Sequence, residues 1–126
     1  MNGFVTALRK YAKFSGRSRR REFWGFALVY WGLHLLLSTL LVLAMQGTRE
    51  GYMPPTATVV AITWIVVAAA LFLPWLAVSW RRYQDIGWPG AASLLGLPFP
   101  LITAIVGFMP GIAGDNPYGP DPKALG

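Results

Sequence analysis

Three long apolar stretches, separated by short polar breaks, set the pattern of this chain. Residues 23–45 run from Phe23 to Met45 without a charge, which exceeds the roughly 20 apolar residues needed to cross a hydrocarbon core. The run is too long for the apolar part of a cleaved signal, and no convincing small-x-small site follows it, so it reads as an uncleaved anchor. Residues 56–80 form a second stretch, rich in Ala, Val and Ile, with Pro74 inside it. An internal proline costs a helix about 3 kcal/mol in water; in a membrane it more often kinks a helix that neighbours support. Ala57 and Ala61 supply one small-x-x-x-small pair for close packing. Residues 91–113 are the third stretch and the least regular, punctuated by Pro98, Pro100 and Pro110 and by Gly96, Gly107 and Gly111. Such a segment either spans as a kinked helix or enters and returns. A re-entrant backbone needs protein or water around its polar groups, and spanning is the favoured expectation.

The breaks complete the layout. Residues 2–14 read as a short amphipathic helix, with Phe4, Val5, Leu8, Tyr11 and Ala12 at helical spacing and Arg9, Lys10 and Lys13 largely elsewhere. A helix of this kind lies in the membrane interface with its cations near anionic lipid, an expectation preferred to an ordinary solvated helix. Gln46–Pro55 is a polar connector broken by Gly47, Gly51, Pro54 and Pro55, and Arg81–Gly90 is a short polar loop. Residues 114–126 are a polar tail rich in Pro and Gly. The predicted class is all-α: an integral membrane protein of one domain, residues 1–126, with an N-terminal amphipathic helix and three hydrophobic membrane segments, the third broken or re-entrant if it does not span.

Charge adds an orientation. Hydrophobic residues make up 55% of the chain and charged residues 13%, yet the net charge is +6. Residues 1–22 hold Arg9, Lys10, Lys13, Arg17, Arg19, Arg20 and Arg21 against Glu22 alone, whereas the remaining residues carry four cations and four acids. A basic head on a neutral, apolar body is unlike a soluble globular enzyme. The basic head and the two arginines of the second connector both belong on the cytoplasmic side, whereas the first connector has one arginine. Trp24, Trp80 and Trp88 then fall near one interface, as an aromatic belt requires. There are no cysteines and one histidine, which excludes thiolate chemistry and a multi-histidine metal site within one chain. No recognition-helix or RNA-binding motif accompanies the basic head, so no nucleic-acid partner and no cofactor are expected. The expected partners are the bilayer and its anionic phospholipid, with a membrane-protein partner or a homo-oligomer as further options.

Three polar clusters flank the apolar stretches. The first runs from Phe14 to Trp24, the second from Arg81 to Gly90, and the third from Asn116 to Pro122. In this order and spacing they resemble the domain-of-unknown-function family eight hundred and five, over residues 8–122. The family pattern falls on Phe14, Gly16, Arg17, Arg20, Glu22, Phe23 and Trp24, then on Arg81, Arg82, Asp85, Gly87 and Gly90, and lastly on Asn116, Tyr118, Gly119, Asp121 and Pro122. The chain departs from it at Gln84, where the family usually has histidine, and at Ala91 and Ala92, where it usually has aromatics. The resemblance implies a small bacterial inner-membrane protein, and no activity.

The first two clusters lie at the same ends of neighbouring antiparallel spans and should meet. Glu22, Asp85, Arg17 and Arg82 are expected to form a structural charge network. Arg17, Arg20, Arg81 and Arg82 outnumber the two carboxylates, and their surplus is expected to contact phosphate or anionic lipid bidentately. His34 stands midway along residues 23–45, where an ionisable group is a functional hypothesis by default. With no carboxylate inside an apolar stretch, a neutral imidazole bonding Thr63 or Thr103 is the expectation. Ser38 and Thr39 are expected to bond back to their own helix. Asp115, Asn116 and Asp121 offer oxygens to a hard cation but read as turn formers, and no metal is expected. Asp121 would cap the arginines if the tail lies inside.

The preferred function is a non-enzymatic accessory or interaction subunit with an arginine-rich cytoplasmic face. The alternative is a small homo-oligomeric transporter or channel lined by His34 and the broken third stretch. A lipid-directed enzyme using Asp85 or Glu22 as base ranks last, because flanking arginines hold these carboxylates ionised.

Overall fold

The computed structural model describes residues 3–123. Its elements are α1 (Gly3–Arg9), α2 (Arg20–Met45), α3 (Pro55–Asp85), a 3₁₀ helix (Gly90–Gly96) and α4 (Pro100–Phe108). Only a lone Asn116–Gly119 bridge adds extended pairing among the described residues. At 1.5 Å per residue, α2 and α3 reach about 39 Å and about 46 Å, beyond the roughly 30 Å of a hydrocarbon core. Their apolar windows have mean hydropathies of 2.0 and 2.4, and only 17% and 11% of those windows are buried within the chain. Such low burial distinguishes them from the core helices of a soluble protein. Leu28, Leu35, Leu36, Ile62 and Ile65 face outward, as a lipid solvent allows.

The helices α2 and α3 form an antiparallel hairpin. At one end the Ser18 amide donates to the Arg81 carbonyl at 3.1 Å; halfway along, Trp64 Nε1 donates to His34 Nδ1 at 2.8 Å. Between these points the seam is aromatic. Phe23 and Phe26 are fully buried against Trp75, and Tyr30 stacks on Trp75 with ring centroids 4.5 Å apart. Such pairs add about 0.5–1.5 kcal/mol each beyond area burial. The His34 partner is therefore Trp64 rather than the expected threonines. Thr63 bonds the Val59 carbonyl of its own helix, and Thr103 pairs with the Tyr83 hydroxyl at 3.1 Å. Ser38 and Thr39 do bond back, both to the Leu35 carbonyl.

The N-terminal helix is shorter than expected and ends at Arg9; Asn2 and residues 124–126 lie outside the described residues. Beyond Arg9 the chain continues in turns, with Tyr11 N bonding Leu8 O at 3.2 Å and Lys13 N bonding Lys10 O at 3.0 Å, and Arg81 Nε donates to Lys13 O at 2.9 Å. Its apolar side packs on α2 rather than pointing only to an interface. Phe4 stacks on Phe26 at 5.4 Å and Ala7 is fully buried. The crossing depends on two small residues, since a Cβ at Gly25 would stand 2.9 Å from the Gly3 Cα.

The largest departure is the third apolar stretch, for which spanning was favoured. It contains no crossing helix: α4 has nine residues, about 14 Å long. Pro98 and Pro100 break the stretch before α4, with Pro100 at its first turn. Gly90 begins the excursion against the Trp80 indole, and Gly111 ends it against the Asp85 carboxyl. Both ends thus meet the same end of α3, so the segment returns to the end of the hairpin from which it starts. A second correction concerns the expected loop at Arg81. The helix continues through Asp85, which places Arg82 and Asp85 one turn apart for an ion pair.

Candidate functional site

The end of the hairpin that holds the charges is built from three directions. Gly16 has φ +94°, a left-handed conformation that glycine adopts at no steric cost. This turn delivers Arg17 to the end of α3. Arg17 Nε donates to Asp85 Oδ1 at 2.9 Å, and Arg82 Nη1 donates to Asp85 Oδ2 at 2.5 Å. Arg81 Nη1 donates to Glu22 Oε1 at 2.5 Å. All five side chains are buried; Arg81 and Arg82 are 1% and 0% exposed. The expected charge network therefore forms, with one change: Glu22 pairs with Arg81, while Asp85 takes both Arg17 and Arg82.

Further donors of Arg17, Arg20 and Arg82 go to backbone carbonyls of the returning chain. Arg82 Nε reaches Val106 O at 3.4 Å, and its Nη2 bonds Met109 O. Arg17 Nη1 bonds Gly114 O at 2.6 Å, and its Nη2 bonds Ile112 O. Arg20 reaches Phe108 O at 3.3 Å, and Trp24 Nε1 donates to Gly107 O at 2.8 Å. Carbonyls at a helix C-terminus have no intrahelical partner and carry partial negative charge. Arg20, Arg82 and Trp24 satisfy them here, Arg17 takes the two carbonyls beyond the helix, and Ile112 N closes the segment on Asp85 O at 2.9 Å. This meets the requirement that a re-entrant backbone be satisfied by protein.

The tail adds the third cluster. Asn116 Nδ2 donates to Gln84 O at 2.9 Å, and Gly119 O lies 3.5 Å from Arg17 Nη1. The Gln84 side chain, at the position of the family's histidine, fills the joint. Its amide nitrogen faces the Gly16 and Phe14 carbonyls at 2.6 and 3.1 Å, and its oxygen accepts from Trp80 Nε1 at 3.2 Å. Asp121 does not cap the arginines. It accepts from the amides of Gly114 and Lys123, both at 2.9 Å, and these bonds hold its carboxyl below the ordinary 3.8. Asp115 likewise accepts from the Asp121 amide at 3.2 Å, and Asn116 from the Tyr118 amide at 2.9 Å. All three are turn formers. Among the described residues no group of three or more His, Cys, Asp or Glu is placed to hold a metal.

Burial corrects the expected lipid contacts. Of Arg17, Arg20, Arg81 and Arg82, only Arg20 is exposed; the other three are enclosed by carboxylates and carbonyls. The accessible cations are instead those of the head, which sequence reasoning counted but did not place. Lys10, Lys13, Arg19 and Arg21 line a cleft of about 340 Å³ closed on its far side by Pro120 and Pro122. No acidic side chain pairs with Lys10, Lys13 or Arg21 among the described residues. The signal missed in the sequence was the chain's return at the tail, which makes a concave site from a basic run.

Comparison with known proteins follows the same span. Residues 11–120 match the family described as Protein of unknown function (DUF805). The chain is 35% identical over 126 residues to Inner membrane protein YhaH of Escherichia coli K12, covering 98% of each. It is 32% identical to Inner membrane protein YhaI of the same organism, covering 98% of this chain and 97% of the relative. No solved structure matches significantly.

Proposed function

The chain belongs to the Protein of unknown function (DUF805) family, and from that premise we propose a non-enzymatic, multi-pass inner-membrane protein whose cationic face engages anionic phospholipid. In this reading α2 and α3 cross the membrane, the third segment dips and returns, and both chain ends are cytoplasmic. The charge bias supports the orientation: seven cations lie within residues 1–22, up to the first turn of α2, and two arginines end α3. The observation that carries the reading is the division of cations at this end. Arg17, Arg81 and Arg82 are consumed by the lock, whereas Lys13 and Arg21 are exposed and Lys10 half-buried, with no carboxylate partner among the described residues. Each such cation near an anionic surface contributes about 1 kcal/mol. Against an enzymatic role, both carboxylates of the cluster are buried and engaged by arginines in ion pairs, which leaves neither open to a substrate.

The test compares thermal unfolding in nanodiscs of neutral lipid with nanodiscs containing phosphatidylglycerol. A higher midpoint in anionic lipid, reduced by salt, is expected; equal midpoints refute the reading. A homo-oligomeric transporter or channel is the second reading, favoured by the broken re-entrant segment, since such irregular backbone lines cavities in transport proteins. One hairpin packed with aromatic rings encloses no pathway alone, so a strict monomer in mild detergent argues against transport.

A further inference from the structure

We propose that the cleft between the N-terminal segment, the start of α2 and the tail is a stoichiometric site for one phosphate-bearing anion at headgroup depth. This deepens the reading above and rests on it, replacing a diffuse surface attraction with a built site. Three observations carry it. The cleft draws cations from two segments: Lys10 and Lys13 come from the N-terminal segment and Arg21 from α2, and the one acid on the wall, Glu22, is neutralised by Arg81. Its volume of about 340 Å³ lies at the low end of the roughly 300–1,000 Å³ of small-molecule sites, enough for a phosphodiester headgroup.

The second observation is a buried donor without a partner. Arg81 Nη2 has no hydrogen bond, although its side chain is 1% exposed. Its neighbours Nη1 and Nε bond Glu22 and the Lys13 carbonyl, and both of those residues line the cleft. Arg81 does not itself line the cleft; its positive charge stands one hydrogen bond behind Glu22 and Lys13, and its unmade donor is an uncompensated cost beside the cleft wall. The third observation is the helix end. No side chain caps the N-terminus of α2 at Arg19, and the positive end of the helix dipole favours a phosphate there. Arg19 to Glu22 lie within one turn, about 5.4 Å, of Phe23, where the apolar run begins. The site therefore sits where lipid phosphates lie, under a cover made by Pro120 and Pro122.

The experiment is native mass spectrometry of the full chain released from phosphatidylcholine nanodiscs carrying graded phosphatidylglycerol, with inorganic phosphate as competitor. One retained phosphatidylglycerol, saturating with its mole fraction, is expected. The combined variant Lys10→Gln, Lys13→Gln, Arg21→Gln should weaken it by about fivefold per cation, on the order of a hundredfold. Arg20→Gln and Arg49→Gln, outside the cleft, should change it less than about twofold. Displacement by inorganic phosphate assigns the site to a soluble phosphate; its failure assigns the site to lipid, and both outcomes support a phosphate site. Equal binding by the triple variant overturns the proposal. Independently of any variant, wild-type enrichment that never saturates removes the site and leaves the surface reading standing. No enrichment over phosphatidylcholine removes both.

Discussion

Replacing Asp85 with asparagine should be the most damaging isosteric change in this chain. Asp85 is 3% exposed and accepts from Arg17 at 2.9 Å and Arg82 at 2.5 Å. At an effective dielectric near 20, a contact of this length is worth roughly 6 kcal/mol of gross Coulomb energy. Desolvation of the ions cancels most of that gain, but the variant keeps the desolvated arginines and loses their counter-charge. Breaking a buried pair in this way costs about 3–5 kcal/mol. The expectation lies toward the lower end because both arginines retain carbonyl acceptors, Ser18 and Met109 for Arg82, Ile112 and Gly114 for Arg17. The asparagine amide adds its own penalty by turning a donor toward an arginine. The assay is equilibrium unfolding in mixed micelles, followed by tryptophan fluorescence. Glu22→Gln, which breaks the single Arg81 pair, should cost less than Asp85→Asn, and Arg20→Gln should stay within about 0.5 kcal/mol. A loss below about 1 kcal/mol for Asp85→Asn, or a larger loss for Arg20→Gln, would refute the locking argument.

Gly107→Ala drives a Cβ into the Phe23 ring and should cost about 1–3 kcal/mol, seen as a lower unfolding midpoint; an unchanged midpoint would show that α4 does not dock there. Trp64 donates to His34 Nδ1, so the imidazole proton sits on Nε2. Nitrogen NMR should report that tautomer, and Trp64→Phe should cost about 1 kcal/mol; a proton on Nδ1 in the parent protein contradicts the bond. Asp121 is held below 3.8 by the Gly114 amide first and the Lys123 amide second, so its contribution to the tail turn is complete above that pH. It fades as pH falls below about 4 and through the folded value. Amide exchange at Gly114 and Lys123 should accelerate only in that acid window, and acceleration between neutral pH and pH 5 would count against it.

The hairpin was legible because its signal is long and uniform. Residues 23–45 and 56–80 became Arg20–Met45 and Pro55–Asp85, and both helices extended into polar sequence at the charged end. That extension is invisible to hydropathy: Arg81, Arg82 and Asp85 look like loop residues until their partners are known. The third stretch failed for a related reason. Its mean hydropathy suits a span, but Pro98 and Pro100 cut the helix, and the polar groups so exposed had to find donors. Hydropathy does not record that six such donors were waiting at Arg17, Arg20, Arg82 and Trp24. The expected His34 partner was wrong, because an indole donor on the facing helix is not distinguished from a lipid-facing tryptophan by sequence alone.

The two failures share one physical cause, which also reinterprets the charge count. Four arginines against Glu22 and Asp85 left an apparent surplus that pointed outward to lipid. The acceptors that balance it are not carboxylates but carbonyls at the C-terminal end of α4 and beyond it, at Val106, Phe108, Met109, Ile112 and Gly114. A guanidinium suits this task better than an ammonium, because its planar fork reaches several fixed oxygens at once. A re-entrant segment needs those donors to stay inside, and buried arginines need those oxygens to be tolerated. Each requirement answers the other, so the lock and the re-entrant segment form one structural unit. The surplus without carboxylate partners is then confined to the head, where Lys10, Lys13 and Arg21 share a cleft with the tail prolines, and the proposed lipid contact moves with it from the ends of the spans to that cleft.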